Sequence, residues 1–125
     1  MGLFSWLFKS SSKKGKKYED KVAKYLNKKV NIENRNKIYS FNDQKRYTEI
    51  DIETKTTAIE VKSGKAKGLK KQLDRYSKVT AKEPVAIAPN MRYNAKKETR
   101  KQYKVFDSKK DLRNYLMTNR LTLSN

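Results

Sequence analysis

Hydrophobic positions recur with the spacing of a helix in the first part of the chain. Within residues 14–28, Tyr18, Val22, Tyr25 and Leu26 fall at i, i+4, i+7 and i+8, which places them on one helix face. Two later helices are predicted over residues 69–79 and 109–117, and the polar region around residues 95–101 is a further helix candidate. For the helix at 109–117, Asp107 or Ser108 is the expected N-cap.

Strands are predicted between these helices. Alternating runs at 37–41, 47–54 and 56–63 predict three strands, with turns at Asn42-Asp43 and at Lys55, so a β-meander is expected. Residues 84–89 form a continuous apolar run between two prolines, which is typical of a strand buried on both faces in parallel pairing. A last strand is expected near 103–106. The order αβββαβ, followed by a smaller β/α tail, predicts an α/β fold with a mixed central sheet flanked by helices.

Length and composition restrict what this fold can do. A chain of 125 residues predicts one domain, here 14–125, preceded by an apolar and basic tail at 1–13. The sequence contains neither Cys nor His. This excludes disulfides, zinc sites of the usual ligand types, thiol nucleophiles and a histidine base. Any catalysis must use carboxylates, Lys, Tyr or a hard metal ion held by oxygen ligands.

The net charge of the chain indicates a class of binding partner. Lys and Arg exceed Asp and Glu by 32 − 13, a net charge of +19. This excess predicts attraction to a polyanion, either nucleic acid or an anionic membrane. The alternative is a solvated Lys-rich surface with no such partner.

The N-terminal tail has its own pattern. Residues 3–8, from Leu3 to Phe8, are apolar and precede several lysines. They are too few to span a membrane and lack the features of a signal peptide. We expect a cytoplasmic protein of prokaryotic, viral or mobile-element origin. The tail could dock weakly on an anionic membrane, meet another protein, pack on the domain or remain mobile.

The second predicted strand carries two kinds of side chain. Because side chains alternate along a strand, Ile50 and Ile52 are expected on one face. The opposite face then carries Glu49, Asp51 and Glu53.

The third predicted strand repeats this division, with Ile59 and Val61 on one face and Glu60 and Lys62 on the other. If the two strands are hairpin partners over one core, Asp51, Glu60 and Lys62 converge on the opposite face. Two carboxylates and one ammonium would then meet without histidine.

This trio suits phosphodiester hydrolysis. Asp51 and Glu60 can hold Mg²⁺, and the Val61 backbone carbonyl between them in sequence is a further possible ligand. Such a metal ion activates a bound water. Lys62 can orient or deprotonate the attacking water, or stabilise the pentavalent phosphate. The alternative is that Glu60 and Lys62 are ordinary solvent-facing residues of an amphipathic strand.

Two helices supply further candidates. Glu19 borders the apolar face of the first helix, where a carboxylate needs a partner: a shared metal ion, or a salt bridge to a lysine. Gln72 and Tyr76, at i and i+4, share a face of the second helix. Gln72 could reach the carboxylates or water, and Tyr76 a DNA phosphate. Alternatively, this helix is simply polar, with Tyr76 in the core.

A basic segment follows the candidate site directly. A loop that leads into a helix N-terminus suits phosphate contacts, although it could be merely solvated. Its four predicted DNA-binding residues are Lys65, Lys67, Lys70 and Lys71.

Taken in order, these motifs resemble the PD-(D/E)XK nuclease superfamily. The resemblance spans roughly residues 15–90 and rests on the segment 15–26 with Glu19, then Glu49-Ile-Asp51, then Ile59-Glu-Val-Lys-Ser63, then Gln72-x-x-x-Tyr76. It is closest to archaeal Holliday junction resolvases, Mrr-like restriction nucleases and the RecB/lambda-exonuclease-like branch. The residue before Asp51 is Ile50, where the family often has Pro.

This resemblance implies a restriction-endonuclease-like αβββαβ core and Mg²⁺-dependent cleavage of DNA, with Mn²⁺ expected to substitute. Asp51, Glu60 and Lys62 match the catalytic motif, and Glu19 matches the acid of the first helix. Gln72 and Tyr76 match the helix motif of the exonuclease-like branch. No organic cofactor is implied, and a homodimer is possible. The motifs do not separate an endonuclease of the resolvase-like type from an exonuclease.

Two other functions are compatible with the sequence. One is a non-catalytic, basic nucleic-acid-binding module in which the acidic residues merely decorate a surface. The other is a membrane-associated or protein-interaction factor that works through residues 3–8.

Overall fold

The structure is a computed structural model that describes residues 13–42 and 45–124. Within these ranges it contains four helices and five strands: α1 Lys13–Asn27, β1 Asn34–Ser40, β2 Tyr47–Glu53, β3 Thr57–Val61, α2 Leu69–Val79, β4 Glu83–Ile87, α3 Tyr93–Thr99, β5 Lys104–Phe106 and α4 Lys109–Ser124. The predictions for residues 3–8 and for Asp43 lie outside the described residues.

The five strands form one mixed sheet in the order β1-β2-β3-β4-β5. The first three pair antiparallel, whereas β3, β4 and β5 run parallel. This confirms the predicted α/β class and element order, and also the predicted parallel pairing of the apolar run that begins at Pro84. No helix in the described part of the chain is long and apolar enough to cross a membrane.

Hydrophobic side chains cover both faces of the sheet. On one face, Val22 and Leu26 of α1 and Leu112 of α4 pack with Ile59 of β3. On the other face, Leu69, Leu73 and Tyr76 of α2 pack with strand residues that include Ile50, Ala58 and Ala86. All five residues of β3 are buried. Glu60, on the charged face predicted for this strand, is therefore buried beneath α2, whereas Lys62 just after the strand is partly exposed.

The predicted facing of β2 is wrong at one point. Ile50 packs with the α2 core, whereas Ile52, two residues later, packs with the α1 core. A regular strand would place both on the same face, so the alternation shifts at Asp51. Opposite Asp51 in the β1–β2 register lies Asn36, which has a left-handed backbone with φ of 54°. The left-handed residue therefore lies directly across from the position where the alternation shifts.

Helix ends agree closely with the predictions for α2 and differ elsewhere. The α2 helix spans Leu69–Val79, as predicted. It begins after Gly68, whose φ of 75° suits a residue without a Cβ. At α4, the Ser108 hydroxyl accepts a hydrogen bond from the Asp111 amide at 3.1 Å, and this identifies Ser108 as the cap. The helix continues to Ser124 rather than ending at residue 117.

Candidate active site

Asp51 lies where β2 and β3 stop pairing. The two strands are in register at Glu53–Ala58 and Ile52–Ile59, and no backbone pair follows. Instead, Oδ2 of Asp51 accepts a hydrogen bond from the Val61 amide at 2.9 Å. A side chain thus takes the place of a ladder bond, and the carboxylate is held in the gap between the strands.

Glu60 occupies the adjacent position on β3 and is only 4% exposed. The Tyr76 hydroxyl donates a hydrogen bond to its Oε1. Its other oxygen, Oε2, lies 3.4 Å from Nζ of Lys62. Both carboxylate oxygens therefore have a polar partner, which is what a buried charge requires.

The electrostatics of this pair oppose full ionisation. Burial raises the pKa of Asp51 well above its usual value, and the neighbouring carboxylates of Glu60 and Glu19 raise it further. The hydrogen bond from the Val61 amide lowers the pKa and opposes these effects. Burial also raises the pKa of Tyr76, with Glu60 and Asp51 adding to the effect. Tyr76 is therefore a protonated donor at neutral pH, and the carboxylate pair favours a bound cation or proton.

Glu49 is a further acid at this site that the motif reasoning did not select. It is half-buried, and burial raises its pKa, with nearby Glu19 and Glu60 contributing in the same direction. The sequence could have identified Glu49, because alternation along the strand places it on the same predicted face as Asp51, two residues earlier.

Glu19 faces the same cleft but has its own partners. Its Oε2 accepts hydrogen bonds from Arg35 at 3.0 Å and Asn36 at 2.8 Å, and lies 3.4 Å from Nζ of Lys16. The predicted salt bridge is present, and its main cation is Arg35 on β1 rather than a lysine alone. The predicted metal ion shared with the strand carboxylates stays a prediction.

The acidic residues lie in an open cleft of about 1180 Å³. Basic side chains dominate its lining: Lys16, Lys45, Arg46, Lys62, Lys67, Lys71, Arg75 and Lys78. Five acids also line it: Glu19, Glu49, Asp51, Glu60 and Asp74. Such a basic lining favours an anionic ligand, and the carboxylates lie within the same cleft.

The predicted phosphate-binding lysines separate into two groups. Lys67 and Lys71 line the cleft. Lys65 is exposed but does not line it, and Lys70 lies 3.3 Å from Asp74, one turn further along α2. Only part of the basic segment therefore borders the carboxylates.

The two predicted residues of α2 differ in position. Gln72 lines the cleft, where it donates to Oγ1 of Thr48 at 3.0 Å and accepts from Arg75 at 3.0 Å, so it does not bond the carboxylates. Tyr76 is 0% exposed, with its hydroxyl directed at Glu60. The predicted contact of Tyr76 with a DNA phosphate is therefore wrong, because no part of its ring reaches the surface.

The donor set at Asp51 and Glu60 fits a hard divalent cation. No group of three or more acids suited to a metal ion occurs in residues 13–42 and 45–124. Mg²⁺, however, commonly uses one or two carboxylates together with water and substrate phosphate. Two adjacent carboxylates, with the raised pKa of Asp51, are consistent with that kind of site.

Comparison with known proteins finds no relative: no protein-family model, curated protein or solved structure matches this chain. The resemblance seen in the motifs stays a prediction. Support for a function therefore comes from the side chains at the cleft.

Proposed function

We propose that this protein is a divalent-metal-dependent deoxyribonuclease that hydrolyses phosphodiester bonds. The observation that carries the proposal is the placement of Asp51 beside Glu60, with Lys62 at 3.4 Å from Glu60, inside a cleft lined by basic side chains. This arrangement supports a cation site, a proton-transfer group and a polyanion-binding surface within one cavity.

The carboxylates of Asp51 and Glu60, with the Val61 carbonyl as an additional donor, would hold Mg²⁺ or Mn²⁺. Such an ion lowers the pKa of bound water and offsets charge on phosphoryl oxygens. The Val61 amide holds Asp51 in place at 2.9 Å. Lys62, partly exposed to the cleft, orients the attacking water or stabilises charge that develops on the phosphate.

Tyr76 acts as a positioning residue in this proposal. Its buried hydroxyl donates to Glu60 and lies 3.4 Å from the Asp51 amide. It therefore contacts both strands at the point where they separate, and it restricts the Glu60 carboxylate to one orientation.

A DNA backbone is the substrate that the cleft lining favours. Lys67 and Lys71 lie at the entry to α2, and Arg75 follows one turn later on the same helix. Cationic side chains of this kind contact phosphate oxygens and set the position of a strand without reading its bases.

The family assignment forms part of the same proposal. The strand order and the positions of Asp51, Glu60 and Lys62 are consistent with a restriction-endonuclease-like core of the PD-(D/E)XK type. In that scheme Glu19 of α1 modulates the site through its charge, since its carboxylate already bonds Arg35.

Cleavage assays test the proposal directly. Purified protein is incubated with supercoiled plasmid, linear duplex, single strands and four-way junctions, with Mg²⁺, Mn²⁺ or EDTA. We expect cleavage of at least one substrate with metal, none in EDTA and none for Asp51→Asn. Asp111→Asn, on the exposed first turn of α4, is the matched control and should cut like the wild type. Absence of cleavage on all substrates, or cleavage that persists in Asp51→Asn, contradicts the proposal.

A second candidate is a non-catalytic nucleic-acid-binding module. The observation that favours it is the pairing of Glu19 with Arg35 and Asn36, together with the lack of a group of three or more acids suited to a metal ion in the described part of the chain. Such a module binds DNA with strong salt dependence but is indifferent to chelators. Isothermal titration of Mg²⁺ separates the two functions, because a nuclease loses metal binding in Asp51→Asn and the module has none to lose.

A further inference from the structure

One face of α1 carries four exposed lysines outside the candidate active site. They are spaced three or four residues apart, which aligns them along a single stripe: Lys14, Lys17, Lys21 and Lys24. We call this set the α1 track. None of the four forms an ion pair with an acidic side chain in the described part of the chain, whereas Lys16, on the other side of the helix, lies 3.4 Å from Glu19.

The α1 track is electrostatically unfavourable in the free protein. Like charges at these spacings repel one another, and cations in the first turn oppose the positive end of the helix dipole. The first turn of α1 contains no acidic residue that could compensate. An anionic partner that lies along the helix would relieve both effects.

A small pocket connects the α1 track to the cleft. It has a volume of about 240 Å³ and is lined on the α1 side by Lys14, Lys17 and Lys21. Its opposite wall includes Ser63 and Asn90, whose side-chain amide donates to the Ser63 carbonyl at 2.8 Å. Ser63 also lines the large cleft. Ser63 therefore borders both the large cleft and the pocket beside the α1 track.

Cations from α4 extend the same surface. The Arg113 guanidinium lies 4.0 Å from the centre of the Tyr25 ring, and Nζ of Lys109 lies 5.3 Å from it. Tyr25 follows Lys24 directly on α1. The basic surface therefore extends from the α1 track onto α4, near the C-terminal end of α1.

We propose that the α1 track binds the phosphate backbone of duplex DNA that continues from the cleft past Ser63. This proposal rests on the proposed function and deepens it, since it makes the substrate a duplex several nucleotides longer than the cleft itself. Four lysines over ten residues span about 15 Å of helix. Phosphates of one strand recur every 3.4 Å along the duplex axis, so the track faces about four of them.

The shared position of Ser63 favours DNA over an anionic membrane. A flat lipid surface would have to cover the α1 face without entering the cleft, whereas a DNA backbone occupies both. Binding to anionic vesicles is therefore a competing outcome that the experiment must include.

The test measures binding of the full-length protein in EDTA, without cleavage. Fluorescence anisotropy with a labelled duplex is recorded over a range of salt concentrations for the wild type and two double variants. Lys17→Gln/Lys21→Gln alters the track. Lys55→Gln/Lys97→Gln removes the same charge from exposed positions in the β2–β3 turn and on α3. Thermal unfolding verifies that both variants fold.

For the track variant, we expect the slope of log K against log salt concentration to become shallower by about 1.8. Two phosphate contacts are lost, and each contributes about 0.9 to the slope. The control variant should leave the slope close to that of the wild type. Equal effects of the two variants overturn the proposal, because the contribution would then be net charge alone. Loss of binding to phosphatidylserine vesicles in the track variant, with unchanged DNA binding, overturns it in favour of a membrane.

The cleavage assay keeps the two proposals separate. If the wild type binds DNA through the track but never cuts it, the nuclease proposal fails and the track stands. If the wild type cuts DNA and the track variant binds with unchanged slope, the track alone fails.

Discussion

The hydroxyl of Tyr76 donates a hydrogen bond to Oε1 of Glu60, and the phenol ring is completely buried between α2 and the sheet. This contact joins the helix after the candidate site to the strand that carries it. It predicts that Tyr76→Phe costs about 1–3 kcal/mol of unfolding free energy, because a buried carboxylate oxygen loses its donor. Urea denaturation measures this loss.

Tyr93→Phe is the matched control for this substitution. Tyr93 is 76% exposed at the start of α3, so removal of its hydroxyl should leave stability nearly unchanged. An equal stability of Tyr76→Phe and Tyr93→Phe would show that the Tyr76–Glu60 hydrogen bond contributes nothing measurable.

A second prediction concerns pH. The pKa of Asp51 is raised in the folded protein, first by burial and then by Glu60. A group with a raised folded-state pKa contributes stability that is fully present below the unfolded pKa and is lost as the pH rises through the folded value. In EDTA, Asp51→Asn should therefore gain stability relative to the wild type as the pH rises above the ordinary aspartate pKa of about 3.9. Asparagine keeps an oxygen for the Val61 amide.

Thermal melts across this pH range measure the difference. Asp111→Asn, which changes an exposed carboxylate outside the cleft lining, is the comparison at each pH. Added Mg²⁺ should stabilise the wild type more than Asp51→Asn, since only a ligand that binds the folded state raises its stability. A stability difference that stays constant with pH would contradict the raised pKa.

The third prediction separates chemistry from binding. Lys62→Ala should reduce single-turnover cleavage by about 10²–10³-fold, the loss typical of one group that stabilises transition-state charge. Affinity for the duplex should change little, because one lysine contributes a small part of a large basic surface. Lys67→Ala, on the lining of the same cleft, should instead weaken binding and leave the cleavage rate of bound substrate intact.

The fourth prediction concerns a buried ion pair away from the cleft. Glu53 is 0% exposed and accepts hydrogen bonds from Tyr39 at 2.9 and 2.8 Å and from Lys82 at 3.1 Å. Burial and the bond to Glu53 raise the pKa of Tyr39 to about 12. Lys82→Ala removes the cation and should cost about 3 kcal/mol, the lower end of the range for a broken buried pair.

Lys101→Ala provides the comparison for this loss. Its partner is Glu98, and both side chains are exposed on the surface, so its removal should cost about 0.5 kcal/mol or less. Similar costs for Lys82→Ala and Lys101→Ala in chemical denaturation would show that Glu53 does not depend on its cation.

The local sequence was sufficient for the order and type of the main elements. The helical spacing of apolar residues gave the bounds of α2 correctly, and the run that begins at Pro84 indicated a parallel strand. The closeness of Asp51 to the segment around Glu60 could also be predicted from the sequence, because side-chain alternation on neighbouring strands is a short-range property. Asp51 and Glu60 lie close together as predicted, although the predicted facing of β2 was wrong, and their role as a site stays a prediction.

Tertiary contacts decided the rest. The shift of alternation at Asp51 lies across from Asn36 of another strand and beside the Val61 amide, and no periodicity within β2 reveals either. The partner of Glu19 is Arg35, sixteen residues later, and Tyr76 became a core residue only because α2 covers Glu60. The sequence alone determined which residues carry charge and where the helices and strands lie, since these follow from local spacing. The partners of each charge depend on contacts between distant segments, and only the packed sheet and helices determine them.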